Sequence, residues 1–172
     1  QSAKKLEEDE EIEIKTYWHV NYEIQQDRSS EEYSQKIIEL IKDSIRLEMR
    51  SDVPVASHLS GGIDSSAVSL FASLISPTKI NSFTGTFRDY SGYDETKYAK
   101  LVAEQNNIKY NEIVITANDL KENLPKIIYH LDYPVVGPGV FPQYMVNKLI
   151  HQKNIKVALG GQGGDELFGG YV

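Results

Sequence analysis

From residue 29 to residue 50 the apolar positions recur every three or four residues: Tyr33, Ile37, Leu40, Ile41, Ile45 and Leu47. That spacing predicts a helix with one apolar stripe, expected to lie on a sheet. Ser29 or Ser30 can cap it, and Glu31 and Glu32 suit its first turn. Further along, the period changes. "VPVASHL" (53–59), "INSFTGTF" (80–87), "KYNEIVIT" (109–116) and "IKVALG" (155–160) are short β-branched runs that read as strands. Between them, 64–75, 94–107, 118–131 and 140–152 read as helices, the second with Asp94 as its N-cap. Such alternation predicts an α/β fold: an open parallel sheet, right-handed crossovers and helices on both faces. The last strand is expected beside the first. Ligands of such sheets bind outside the carboxyl ends of the strands, where the strand order reverses.

The N-terminal part breaks the pattern. Six of the seven residues from Glu7 to Glu13 are acidic, which reads as a solvated linker. "KTYWHVNYE" (15–23) is aromatic-rich and is expected to pack as an extended arm.

Composition narrows the classes. A chain of 172 residues is about one domain. Its net charge of −7 argues against non-specific nucleic-acid or acidic-membrane binding. With no cysteine, it has no disulfide framework and no thiolate chemistry. No apolar run is long enough for a membrane span, and no apolar signal core opens the chain, so a cytoplasmic location is expected.

The candidate chemistry lies in two glycine turns. In "HLSGGIDSSAV" (58–68), Ser60, Gly61 and Gly62 end the first strand, and Asp64, Ser65 and Ser66 open the next helix. Glycines let backbone approach a phosphate, and a helix N-terminus offers free N–H groups and a positive dipole end. The turn lacks the lysine of a P-loop: none occurs between Lys42 and Lys79. A carboxylate beside a polyphosphate makes sense if Mg²⁺ bridges them. The second turn, "ALGGQGGDELFGGYV" (158–172), holds six of the twelve glycines and presents Asp165 and Glu166. Helix caps and tight turns account for either stretch alone. Two glycine turns, each with an acid at a strand end, are better explained by one pocket in which Asp64 and Asp165 share a Mg²⁺ with a leaving pyrophosphate.

"SGGIDSS" resembles the S-G-G-x-D-S pyrophosphate loop of the N-type ATP pyrophosphatases, a superfamily that includes asparagine, GMP and NAD synthetases and tRNA-thiolating enzymes. "GGQGGDELFGGY" is similar to the corresponding element of glutamine-dependent asparagine synthetases and their β-lactam synthetase relatives. "SFTGTF", "YDETKYAKLVAEQ" and "LDYPVVGPGVFPQYMVNKL" resemble that family in order and spacing, and "TYW" resembles the linker leaving its glutaminase domain.

The resemblance implies a three-layer fold of the adenine nucleotide alpha hydrolase type. It implies a linker or arm over 1–28 and the N-terminal part of a synthetase domain over 29–172. The implied reaction is amidation of aspartate through a β-aspartyl-adenylate, with ATP and Mg²⁺ required and AMP and pyrophosphate released. Ammonia would come from a glutaminase domain outside this chain, and the chain alone is expected to be inactive. Ser60, Gly61, Gly62, Asp64, Ser65 and Ser66 would hold pyrophosphate, and Asp64 and Asp165 would ligate Mg²⁺. Leu59 and Thr84 would flank adenine, and Gly160 and Gly161 the ribose and α-phosphate side. Two positions depart from the family pattern: Gln162 stands where many members carry glutamate, and Gly160 where serine is frequent. A β-lactam synthetase is a rival enzyme reading. A nucleotide-binding module without catalysis is another, although it has no need of both carboxylates. Exposed apolar surface would favour a homodimer.

Other residues carry weaker expectations. His58 alternates away from Leu59 and is expected to face the sheet's other side rather than substrate. His19, His130 and His151 lack metal spacing. Arg88, at the binding edge, suits either a phosphate contact or a solvated loop, while Lys97 and Lys100 read as surface residues.

Overall fold

The structure, a computed structural model, describes residues 14–21, 27–88, 94–133, 137 and 139–170. Helix α1 (Ser30–Glu48) starts at a capping box: Glu32 N–H donates to the Ser29 side chain, and the Glu32 carboxylate accepts from Ser29 N–H. Then follow β1 (Val55–His58), α2 (Ile63–Ile75), β2 (Asn81–Thr86), α3 (Thr96–Gln105) and β3 (Lys109–Val114). Helices α4 (Ala117–Leu131) and α5 (Val140–Gln152), strand β4 (Val157–Leu159) and the short α6 (Gly164–Phe168) complete the described chain.

The four strands pair in parallel in the order β3-β2-β1-β4. Ser57 of β1 faces Ser82 of β2 on one side and Leu159 of β4 on the other. The chain therefore steps outward from β1 to β3, then crosses back to the far side of β1. The order reverses between β1 and β4, and the two glycine turns leave those two strands.

Alternation along β1 sorts the core into two layers. On one face Leu59 and Leu159 pack with Ile45 of α1, Ala72 of α2 and Ala99 and Ala103 of α3. On the other, Ala56 and Phe83 pack with Val146 and Ile150 of α5, and α4 lies against α5. Burying a side chain the size of Phe83 or Leu59 contributes on the order of 2 kcal/mol. Ser69 of α2 donates to Ser57 Oγ at 2.9 Å, a buried polar tie between helix and strand. Among the described residues no helix is long and apolar enough to cross a membrane.

Four expectations need correction. The α1 stripe packs mainly on α2 and reaches the core over the sheet through Ile41, Ile45 and Met49, while Leu40 and Leu47 are exposed. In the described part of the aromatic arm, 15–21, Tyr17 is 99% and Trp18 70% exposed and no strand forms; its last two residues and the acidic run 7–13 lie outside the described residues. Helix α3 begins at Thr96, and Asp94, one residue before the assigned cap, still accepts from Thr96 N–H at 3.0 Å. The second glycine turn, read as a loop, contains the helical turn α6.

Candidate functional site

The first turn is built from glycine geometry and serine hydroxyls. Gly61 has φ +102°, a conformation that L side chains rarely adopt, and its Cα lies against the start of α3, where a Cβ would come within 2.8 Å of Glu95 O. Ser60 and Ser65 close the loop: their hydroxyls are 2.9 Å apart, and Gly62 N–H donates to Ser60 Oγ at 3.2 Å. Ser65 Oγ also donates to Gly62 O at 3.2 Å. No side chain caps α2 at Gly62, so the capping position is open to a ligand. Ser66 Oγ is buried without a partner among the described residues.

The second turn fits into the first. A Cβ on Gly161 would sit 2.8 Å from Ser65 N and 3.0 Å from Asp64 C, so only glycine lets the two turns touch. Three glycines of the second turn are seats for oxygen-bearing side chains. A Cβ on Gly164 would fall on the Asp64 carboxylate, one on Gly170 on Asp165 Oδ1, and one on Gly160 on Gln162 Oε1. None of the three has a positive φ, so space and not conformation requires glycine there. Asp64 is thereby seated against the residue that precedes Asp165.

A cavity of about 1000 Å³ opens over this junction. Leu59, Ser60, Gly62, Asp64, Ser65, Thr84, Gly161 and Asp165 line it. Gly61, Ser66 and Gly160 lie outside its lining: Gly61 packs on α3, and Gly160 borders a second cavity of about 550 Å³. Thr84 is buried, and its hydroxyl donates to the carbonyl of Leu59, tying the ends of β1 and β2 together. The charged side chains lining the large cavity are Asp64, Glu95, Asp165 and Glu166; no lysine or arginine is among its described walls.

The neighbouring basic residues are committed elsewhere. Arg88 and Lys100 each pair with Glu112 at 3.0 Å. The hydrogen bond from Lys100 foremost, against the opposing effect of burial, and then the Lys100 charge and the bond from Arg88 lower the pKa of the Glu112 carboxyl. Tyr110 donates to Glu112 at 3.3 Å, and burial pushes its phenol up to about 12. Arg88 stays largely exposed in this pair, as its reading as a solvated loop charge has it, with Glu112 as its partner.

Several wall residues were not singled out for the site. His58 does face the α5 side, as alternation requires, yet it lines both cavities. Burial lowers its pKa, and a hydrogen bond with Asn147 opposes the shift only in part. Gln143 of α5, Phe87, Glu95 and Phe168 also line the large cavity. Gln143 sits in "LDYPVVGPGVFPQYMVNKL", one of the stretches that carry the family resemblance. No sequence signal marks Phe87 or Glu95. Among the described residues no three His, Asp or Glu side chains group as a metal site.

Solved structures place the architecture. An NH3-dependent NAD synthetase from Campylobacter jejuni superposes with a TM-score of 0.53 at 21% identity, over 80% of this chain and 60% of that one. A U34-tRNA thiolase from Methanococcus maripaludis gives a TM-score of 0.55 at 17% identity, over 80% and 48%. The fold, an open parallel sheet with helices on both faces, is shared with both of these proteins. Within it, the asparagine synthase family model matches residues 36–172, and the chain belongs to that family. Glutamine-hydrolysing asparagine synthetase 1 of Bacillus subtilis is 39% identical over 163 residues, covering 95% of this chain and 25% of that protein. The chain thus spans about a quarter of the length of that relative.

Proposed function

We propose that this chain is the ATP-binding core of an enzyme that amidates aspartate to asparagine. The observation that carries the reading is the junction of the two glycine turns at the point where strand order reverses. There the Asp64 carboxylate is seated on Gly164, and Asp165 follows. Residues 29–172 are the N-terminal part of the synthetase domain in this reading, and 1–28 a linker from a glutaminase domain.

Pyrophosphate lies at the open N-terminus of α2, held by Ser60, Gly61, Gly62 and Ser65, with the uncommitted Ser66 hydroxyl behind them. Leu59 and Thr84 border the adenine and Gly161 the ribose and α-phosphate side, whereas Gly160, which borders the second cavity, does not touch the nucleotide. The two carboxylates and the absence of basic groups from the described walls fit Mg²⁺, which Asp64 and Asp165 would hold. Bound there, it offsets negative charge that builds on the leaving pyrophosphate. An aspartate β-carboxylate oxygen attacks the α-phosphorus, and the bond from that phosphorus to the bridging oxygen breaks. Ammonia then attacks the β-carbonyl carbon of the adenylate, and AMP leaves with the oxygen it gained. The cradle residues fix the triphosphate in line for the first step.

The test is an assay of the full-length protein with ATP, Mg²⁺, ammonia and L-aspartate. Asparagine, AMP and pyrophosphate are expected in equal amounts, each dependent on aspartate. Pyrophosphate release indifferent to aspartate, or dependent on another acceptor, would contradict the reading.

A further inference from the structure

We infer that Gln162 is a positioning residue whose side chain, seated on Gly160, forms the movable partition between the nucleotide cavity and the adjoining polar cavity. The inference rests on the nucleotide reading for its ligand. Its basis is geometric. Gln162 lines both cavities, as do His58 and Gln143. Its amide occupies the space that a side chain at residue 160 would fill: a Cβ there would overlap Oε1 and lie 3.0 Å from Cδ and 3.4 Å from Nε2. Gly160 has no positive φ, and the three described atoms nearest its missing Cβ all belong to Gln162. Glycine at 160 therefore serves one side chain, and the two positions act as a pair.

The seat matters because the partition has an alternative. Gln162 has three rotatable side-chain bonds, and it stands in a glycine-flanked turn with little else to hold it. Seated, the amide leaves the large cavity clear and closes the wall towards His58, Asn147 and Lys156 of the smaller one. Unseated, it turns into the cavity that the triphosphate needs. The partition is neutral, so it adds no fifth carboxylate to a wall that already carries four acidic residues.

A single added methyl tests this. Gly160→Ala suits the local backbone and displaces only the flexible end of Gln162, so its melting temperature should stay within about 2 °C of the parent. ATP with Mg²⁺ is titrated calorimetrically into the parent chain, Gly160→Ala, Gln162→Ala and the double variant. Gly160→Ala is expected to bind about tenfold more weakly. Gln162→Ala should lie within about threefold of the parent, and the double variant should match it, because no amide remains to be displaced. Equal affinity of Gly160→Ala and the parent would overturn the partition. So would a double variant as weak as Gly160→Ala, which would place the damage in the backbone. A parent chain that binds no ATP would instead contradict the nucleotide reading and the partition with it.

Discussion

Gly61 and Gly137 share an unusual backbone, with φ +102° and +107°, but not a setting. A Cβ on Gly61 would strike the Glu95 carbonyl at 2.8 Å, whereas no described residue lies within 4 Å of one on Gly137. Gly137→Ala should therefore cost about 1 kcal/mol, the price of the conformation alone. Gly61→Ala must also push α3 away and should cost on the order of 3 kcal/mol. Urea unfolding of both variants measures the difference; equal costs would mean that the loop does not bear on α3. At this scale the sequence was informative where a requirement is local. A run such as "SGGIDSS" shows a flexible turn, hydroxyls and a helix start within seven residues. It could not show that Gly161, a hundred residues later, must be bare to touch Ser65, nor that Gly164 and Gly170 are seats for two aspartates. Those requirements come from contacts across the fold.

Elements were legible where a period or a cap is written in consecutive residues. The four strands and five longer helices fall where alternation and spacing put them, with ends moved by one or two residues. Helix α6 was missed because five residues between glycines carry no period. The partner of α1 was missed for another reason: a stripe reports that one face is buried, not what buries it. Helix α4 starts at a second capping box, with the Thr116 side chain accepting from Asp119 N–H and the Asp119 carboxylate from Thr116 N–H. Thr116→Ala should lower stability by about 1 kcal/mol. Helix α4 stands away from the glycine turns, packed on α5. ATP affinity should consequently be unchanged in that variant; a parallel loss of affinity would show that α4 supports the site.

The whole molecule is arranged around one reversal of strand order. Two layers of core hold β1 and β4 side by side, and the turns leaving them meet above the sheet. Each turn brings one aspartate to a cavity whose other described charges are also negative. That balance is a property of the assembled walls, and it makes the account's central claim a claim about linkage: triphosphate and divalent cation bind together or hardly at all. Calorimetric titration of the chain with ATP, with and without Mg²⁺, tests it most directly when Asp64→Ala and Asp165→Ala are run beside the parent. Binding is expected to require Mg²⁺ and to fall at least about tenfold in each variant. Binding that is indifferent to Mg²⁺, or that survives loss of either carboxylate, would contradict a shared metal–pyrophosphate pocket.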